Sequence, residues 1–184
     1  MRSFGLFLAC LVLLTGCANT PKVEDGYHPE LVSPYQLDAG DRIRVIVFGQ
    51  TDLSNTYVVD QSGNIAMPLI GTVRARGRST AQIETDIAAR LKKGYLRNPD
   101  VSVEIDRYRP FFAMGEVGAA GQYPYVPGMT VQQAVAVAGG FTPRADIHYV
   151  QVTRSIDGQL GTALLRMSDP VLPGDTIFVR ERHL

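Results

Sequence analysis

Short segments in which apolar and polar residues alternate recur along the chain, and this pattern predicts β-strands. The first is Arg42–Phe48, where isoleucine and valine alternate with arginine. Segments 57–60 and 64–68 flank Gln61-Ser62-Gly63, which predicts a hairpin. Further strands are predicted at 101–106, 111–117, 122–126, 149–154, 163–166 and 176–180.

Two helices are predicted, each from a capping box at its start. Ser79 precedes Gln82 by three residues and Thr130 precedes Gln133 in the same way. Apolar residues then follow at helical spacing, at 83, 87 and 91 and at 131, 134, 135 and 138. Strands gathered around single helices, without regular βαβ alternation, predict an α+β fold.

The chain divides into four parts. A leader is expected at 1–16, a proline-containing tether at 17–34, and folded domains at 35–107 and 108–184. The boundary between the domains is placed at Tyr108-Arg109-Pro110, where proline interrupts the strand pattern.

The first 17 residues have the form of a secretory signal. Arg2 is followed by the mostly apolar stretch Phe4–Leu14, which is shorter than the roughly 20 residues of a spanning helix. Leu14-Thr15-Gly16-Cys17 resembles the bacterial lipobox, in which the cysteine is acylated and becomes the mature N-terminus. Cys17 is therefore the expected lipidation site, and Ala18 after it implies, by analogy, sorting to the outer membrane.

Composition excludes several classes of ligand. Lys+Arg and Asp+Glu both number 18, so no field of one sign favours nucleic acid. No Cys/His/carboxylate spacing indicates a metal site, and no glycine motif indicates a nucleotide or other cofactor. Glu104 and Asp106 share one face of a predicted strand, which favours a solvated face over a catalytic pair. We therefore expect no enzymatic activity.

One short motif occurs twice. Gly40-Asp41 and Gly174-Asp175 both lie within Gly-Asp-x-Ile-x-Val. Glycine supplies turn geometry and aspartate can bond to the backbone near the strand entry, so both pairs are interpreted as structural turns.

A longer series of motifs resembles the outer-membrane polysaccharide export lipoprotein family. Its N-terminal domain is similar to the motifs Tyr35-x-Leu37-x-x-Gly40-Asp41, Val59-Asp60-x-x-Gly63-x-Ile65-x-x-Pro68 and Gly71. Its soluble-ligand-binding β-grasp domain is similar to Tyr108-Arg109-Pro110-Phe111, Gly115-Glu116-Val117, Gly121-x-Tyr123, Gly128-Met129-Thr130-Val131 and Ala138-Gly139-Gly140-Phe141.

This resemblance implies a lipoprotein that helps export capsular polysaccharide or exopolysaccharide. It implies a ring of identical subunits that forms part of a conduit and works with an inner-membrane chain-length (copolymerase) partner. The competing hypothesis is a monomeric periplasmic module that binds saccharides. Because the tail after 176–180 is short and charged, we expect this chain to face the periplasm and a separate outer-membrane protein to supply the pore.

The predicted boundary also carries a candidate contact. Tyr108, Arg109 and Phe111 combine aromatic rings with a guanidinium fork, which can stack on sugars or bind carboxylates. The alternative is a domain hinge with buried aromatic residues. The sequence leaves both interpretations open.

Overall fold

The computed structural model describes residues 34–156 and 159–182, which form two hydrophobic cores in sequence order. Its α+β composition agrees with the fold class expected from the sequence. Cys17, the leader and the tether lie outside the described residues.

The N-terminal core lies among five strands and one helix. The elements are β1 (Arg42–Val47), β2 (Asn55–Val58), β3 (Asn64–Met67), β4 (Gly71–Arg74), α1 (Thr80–Lys92) and β5 (Val101–Arg107). Strands β2, β1 and β5 form an antiparallel sheet in that order, while β3 and β4 form a separate hairpin.

The hairpin predicted between segments 57–60 and 64–68 is wrong. A tight turn does join them, with Gly63 at φ +82° and its N–H donating to the Asp60 carbonyl at 2.9 Å. However, β2 pairs with β1 and β3 pairs with β4. Strand β4 was overlooked because Val73 is its only large apolar residue, and that side chain is fully buried against the same core.

Both predicted helix starts are confirmed. The side chains of Ser79 and Thr130 each accept a hydrogen bond from the backbone N–H of the glutamine at N3. The side chain of that glutamine accepts one in return from the backbone N–H of the capping residue. In α1, the apolar stripe predicted at 83, 87 and 91 is completely buried. Burial of each such side chain contributes about 1.5–3 kcal/mol, so this stripe fixes α1 on the sheet.

The C-terminal core lies under one face of a five-stranded sheet. Its elements are β6 (Phe111–Gly115), β7 (Gly121–Tyr123), α2 (Val131–Val137), β8 (Tyr149–Ile156), β9 (Gln159–Arg166) and β10 (Thr176–Val179). The strand order is β7-β6-β10-β8-β9, with β10 parallel to β6 and the other pairs antiparallel. Buried residues of α2 belong to the same core as the inner face of this sheet.

Within the described ranges, no helix has both the length and the apolar character needed to cross a bilayer.

Candidate functional site at the domain junction

Asp41 lies at the point where the two domains meet. It enters β1 from the Gly40 turn and is completely buried. Its carboxylate accepts hydrogen bonds from the Tyr35 hydroxyl (2.7 Å) and from the backbone N–H groups of Asp38 (2.8 Å) and Arg109 (2.9 Å). A buried carboxylate is costly unless it is bonded in this way, so the junction is built to hold a charge.

Arg109 supplies the opposite charge from the start of the second domain. Its Nη1 donates to Asp41 Oδ2 at 3.2 Å and to the Tyr35 hydroxyl oxygen at 3.1 Å. A carboxylate oxygen of Asp38 lies 3.9 Å from its Nη2. Only 19% of the Arg109 side chain is exposed, so its guanidinium bonds mainly to groups within the protein and not to solvent.

The charges around the junction change the ionisation of its other members. Burial, reinforced by the Asp41 charge, raises the pKa of Tyr35, which keeps its hydroxyl a hydrogen-bond donor. Burial opposes ionisation of Asp38, but hydrogen bonds from the Ala39 N–H and from Arg76, with the charges of Arg109 and Arg76, lower its pKa.

Aromatic rings continue the contact between the domains. Tyr108 meets Tyr35 edge to face at 5.0 Å between centroids, and it meets Tyr125 of the second domain in the same way at 5.4 Å. Such pairs add about 0.5–1.5 kcal/mol each beyond the area they bury. Tyr108 therefore joins one aromatic residue from each side of the boundary.

The second copy of the motif repeats the construction inside the C-terminal domain. Asp175 is completely buried and accepts the Leu172 N–H at 2.8 Å, as Asp41 accepts the Asp38 N–H. Its two oxygens receive a fork from Arg154, at 2.9 Å from Nε and 2.8 Å from Nη2. In both copies, a turn presents a buried carboxylate to an arginine that is distant in sequence.

The two turns meet at Arg109. A Cβ added to Gly174 would lie 2.4 Å from Arg109 Nε, and one added to Gly40 would lie 3.6 Å from Arg109 Cβ. The Gly174 N–H also donates to the Pro110 carbonyl at 3.1 Å. Glycine at 174 is thus favoured by its φ of +85°, and a larger residue there would also displace the Arg109 side chain from its bonds.

The other candidate contacts also face inward. Phe111 is completely buried and stacks on Tyr123 at 5.8 Å. Together with the internal bonds of Arg109, this favours a structural role for the boundary, with buried aromatic residues, over direct contact with a glycan or a second subunit.

Sequence reasoning missed the partners of the two aspartates. Asp38 and Arg154 were not singled out, and Tyr35 was noted only as part of a motif. Arg109 lies 68 residues from Asp41, and no local pattern indicates a contact across that separation. The repeated Gly-Asp motif pointed to the two aspartates and the boundary motif pointed to Arg109, but neither indicated that Asp41 and Arg109 pair.

Of the two carboxylates predicted on one face of β5, Asp106 is not free, because it is paired with two arginines. Asp106 pairs with Arg42 at 3.3 Å and Arg44 at 3.1 Å. In the described ranges, no group of three or more His, Cys, Asp or Glu side chains is placed to hold a metal ion. A cleft of about 500 Å³ near the end of α1 is lined partly by Asp86 and Arg90, which pair at 3.0 Å.

Comparison with known proteins identifies both halves of the chain. Residues 29–106 match the family described as "Polysaccharide biosynthesis/export protein", and residues 114–161 match the SLBB domain. The chain belongs to the polysaccharide export family. This is a family of transport proteins rather than enzymes.

Three relatives show the extent of the similarity. The exopolysaccharide production protein ExoF of Rhizobium meliloti is 35% identical over 61% of this chain and 29% of its own length. The EPS I polysaccharide export outer membrane protein EpsA of Ralstonia nicotianae is 31% identical over 69% of this chain and 34% of its own. The polysialic acid transport protein KpsD of Escherichia coli is 28% identical over 93% of this chain and 32% of its own. The chain therefore spans about a third of the length of these curated relatives.

Proposed function

We propose that this protein is a periplasm-facing lipoprotein of the outer membrane that forms part of an oligomeric conduit for capsular polysaccharide or exopolysaccharide. The observation that carries the proposal is the order of the two domains, an export domain followed by an SLBB domain. Three relatives are named for polysaccharide production, export or transport, and one of them is named an outer membrane protein.

The junction supports this function mechanically. Arg109 and Asp41, with the rings of Tyr35 and Tyr108, fix the second domain on the first. The proposed role of the junction is therefore to keep the subunit rigid rather than to bind the polymer.

Lipidation at Cys17 is the proposed means of attachment to the membrane. Several acyl chains, each contributing about 0.8 kcal/mol per buried CH₂, would make attachment effectively permanent. Cys17→Ser should abolish incorporation of a fatty-acid analogue and release the protein from the outer-membrane fraction. Equal labelling of the parent and the variant would contradict this part of the proposal.

Assembly into a ring is tested by crosslinking in intact cells that also contain the inner-membrane chain-length partner. Identical subunits in a closed ring should give a ladder of crosslinked species that ends at a fixed number. Recovery of monomer alone, with the partner present, would favour the monomeric saccharide-binding module instead.

A further inference from the structure

The C-terminal sheet has one face that does not contact the core, and two rows of side chains cross it. Strand register defines the rows because partners across a ladder lie on the same face. The first row runs Gln122, Phe112, Thr176, Thr153, Thr162. The second row runs Met114, Phe178, Gln151, Leu164. We call these two rows the outer face.

The centre of the outer face is apolar although it is exposed. Phe112, Met114 and Phe178 are 41%, 49% and 43% exposed, and they lie on β6 and β10, each of which has a neighbouring strand on both sides. A sheet with one face on the core normally carries polar residues on the other face. The inner face of the same strands already supplies the core, through residues such as Ile177. Folding therefore does not account for the three apolar residues.

Amides and hydroxyls adjoin this apolar centre, Leu164 ends the second row, and the Arg180 guanidinium lies beside Gln151. Neither row contains a carboxylate. Gln122 adjoins Phe112, Gln151 adjoins Phe178, and threonines complete the first row. Gln151 accepts a hydrogen bond from Arg180 at 2.6 Å, which leaves its NH₂ group as a donor. Aromatic rings beside amides and hydroxyls match a pyranose, whose C–H face is apolar and whose edge carries hydroxyl groups.

The size of the apolar patch favours a glycan over a second protein as its ligand. Three side chains of this size, less than half exposed, present roughly 250 Å² in total. A specific protein interface buries about 800 Å² on each partner, so these three side chains supply only about a third of the area that one needs. The patch is large enough for a few sugar rings.

We propose that the outer face binds the exported polysaccharide, with Phe112 and Phe178 stacking on sugar rings and Gln151 bonding to their hydroxyl groups. The inference rests on the proposed export function, since that function supplies the polymer. It assigns contact with the polymer to the sheet face of the second domain and not to the domain junction.

Met114 provides a reporter within the patch. The full-length chain, purified in detergent with ¹³C-methyl methionine, is titrated with oligosaccharides prepared by partial acid hydrolysis of the cell's own secreted polysaccharide. The Met114 methyl signal should shift saturably, with a dissociation constant of about 1 mM or below. Met67 and Met129 are buried and should not shift, which makes them internal references.

Phe178→Thr keeps a good strand former and should weaken the apparent affinity about tenfold, because one stacking surface is lost. The matched control is Phe48→Thr, which removes a 60% exposed phenylalanine from the first domain and should leave the affinity unchanged. Thermal melting of both variants checks that each remains folded.

Three outcomes would overturn the inference. These are no Met114 shift with the oligosaccharides, an equal loss of affinity in both variants, and a Met114 shift that follows protein concentration instead of sugar. The last outcome would mean that a second copy covers the face. Deletion of the gene tests export itself, so a cell that needs the gene for secretion but whose protein shows no shift would refute only this inference.

Discussion

Replacement of Arg109 by alanine tests the most connected contact between the two domains. The change removes the hydrogen bonds from Nη1 to Asp41 and Tyr35, at 3.2 and 3.1 Å. It leaves the Asp41 carboxylate fully buried, with only neutral donors around it. The backbone N–H at 109 still bonds to Asp41, because alanine retains it.

The expected loss follows from that geometry. Breaking a buried ion pair by removing one partner costs about 3–5 kcal/mol. The remaining donors and the partial exposure of Arg109 place this case at the lower end, at about 3 kcal/mol. In urea titrations followed by circular dichroism and tyrosine fluorescence, Arg109→Ala should lower the free energy of unfolding by that amount and separate the transitions of the two domains.

Two matched variants isolate the role of the contact between domains. Arg154→Ala breaks the equivalent pair with Asp175 inside the second domain, so it should destabilise that domain without separating the two transitions. Arg44→Ala removes an exposed pair with Asp106 and should cost less than about 1 kcal/mol. If Arg109→Ala resembles Arg44→Ala, and both domains still unfold together, the account of the junction is wrong.

Three further changes test other parts of the fold. Gly174→Ala adds both strain from a positive φ and a clash with Arg109. In paired urea titrations it should therefore reduce stability more than Gly128→Ala, because Gly128 has a similar φ but open space around it. The pKa of Asp38 is lowered in the folded protein, so its contribution is present above its unfolded pKa of about 3.9 and is lost as pH falls through the folded value. Asp38→Asn should therefore flatten the fall in stability as the pH drops below about 4, and an unchanged slope would contradict the assignment. Ser79→Ala removes a helix cap and should cost about 1 kcal/mol, measured as a shift in the urea midpoint, whereas no shift would show that the cap is dispensable.

The sequence predicted the elements whose signals are local. The capping boxes at Ser79 and Thr130 fixed the starts of both helices, because a cap, its N3 partner and the apolar stripe all lie within one short segment. Strand pairing is not local, and there the prediction failed. Segment 57–60 was paired with its neighbour in sequence, whereas β2 pairs with β1.

The candidate site shows the same limit. The repeated Gly-Asp motif indicated two turns, but the arginine that each aspartate binds comes from a distant strand or from the domain boundary. The outer face was not predicted either. Phe112 lies in β6 and Phe178 lies in β10, far apart in sequence. Only the parallel pairing of these two strands places the two side chains in neighbouring rows of one sheet.

The central claim, a role in polysaccharide export, is tested most directly by measuring where the polymer is found after the gene is deleted. The account predicts that secreted polysaccharide is lost, that polymer is retained inside the cell envelope, and that the intact chain restores secretion. Undiminished secretion from the deletion strain, with no other export protein of this family in the cell, would contradict it.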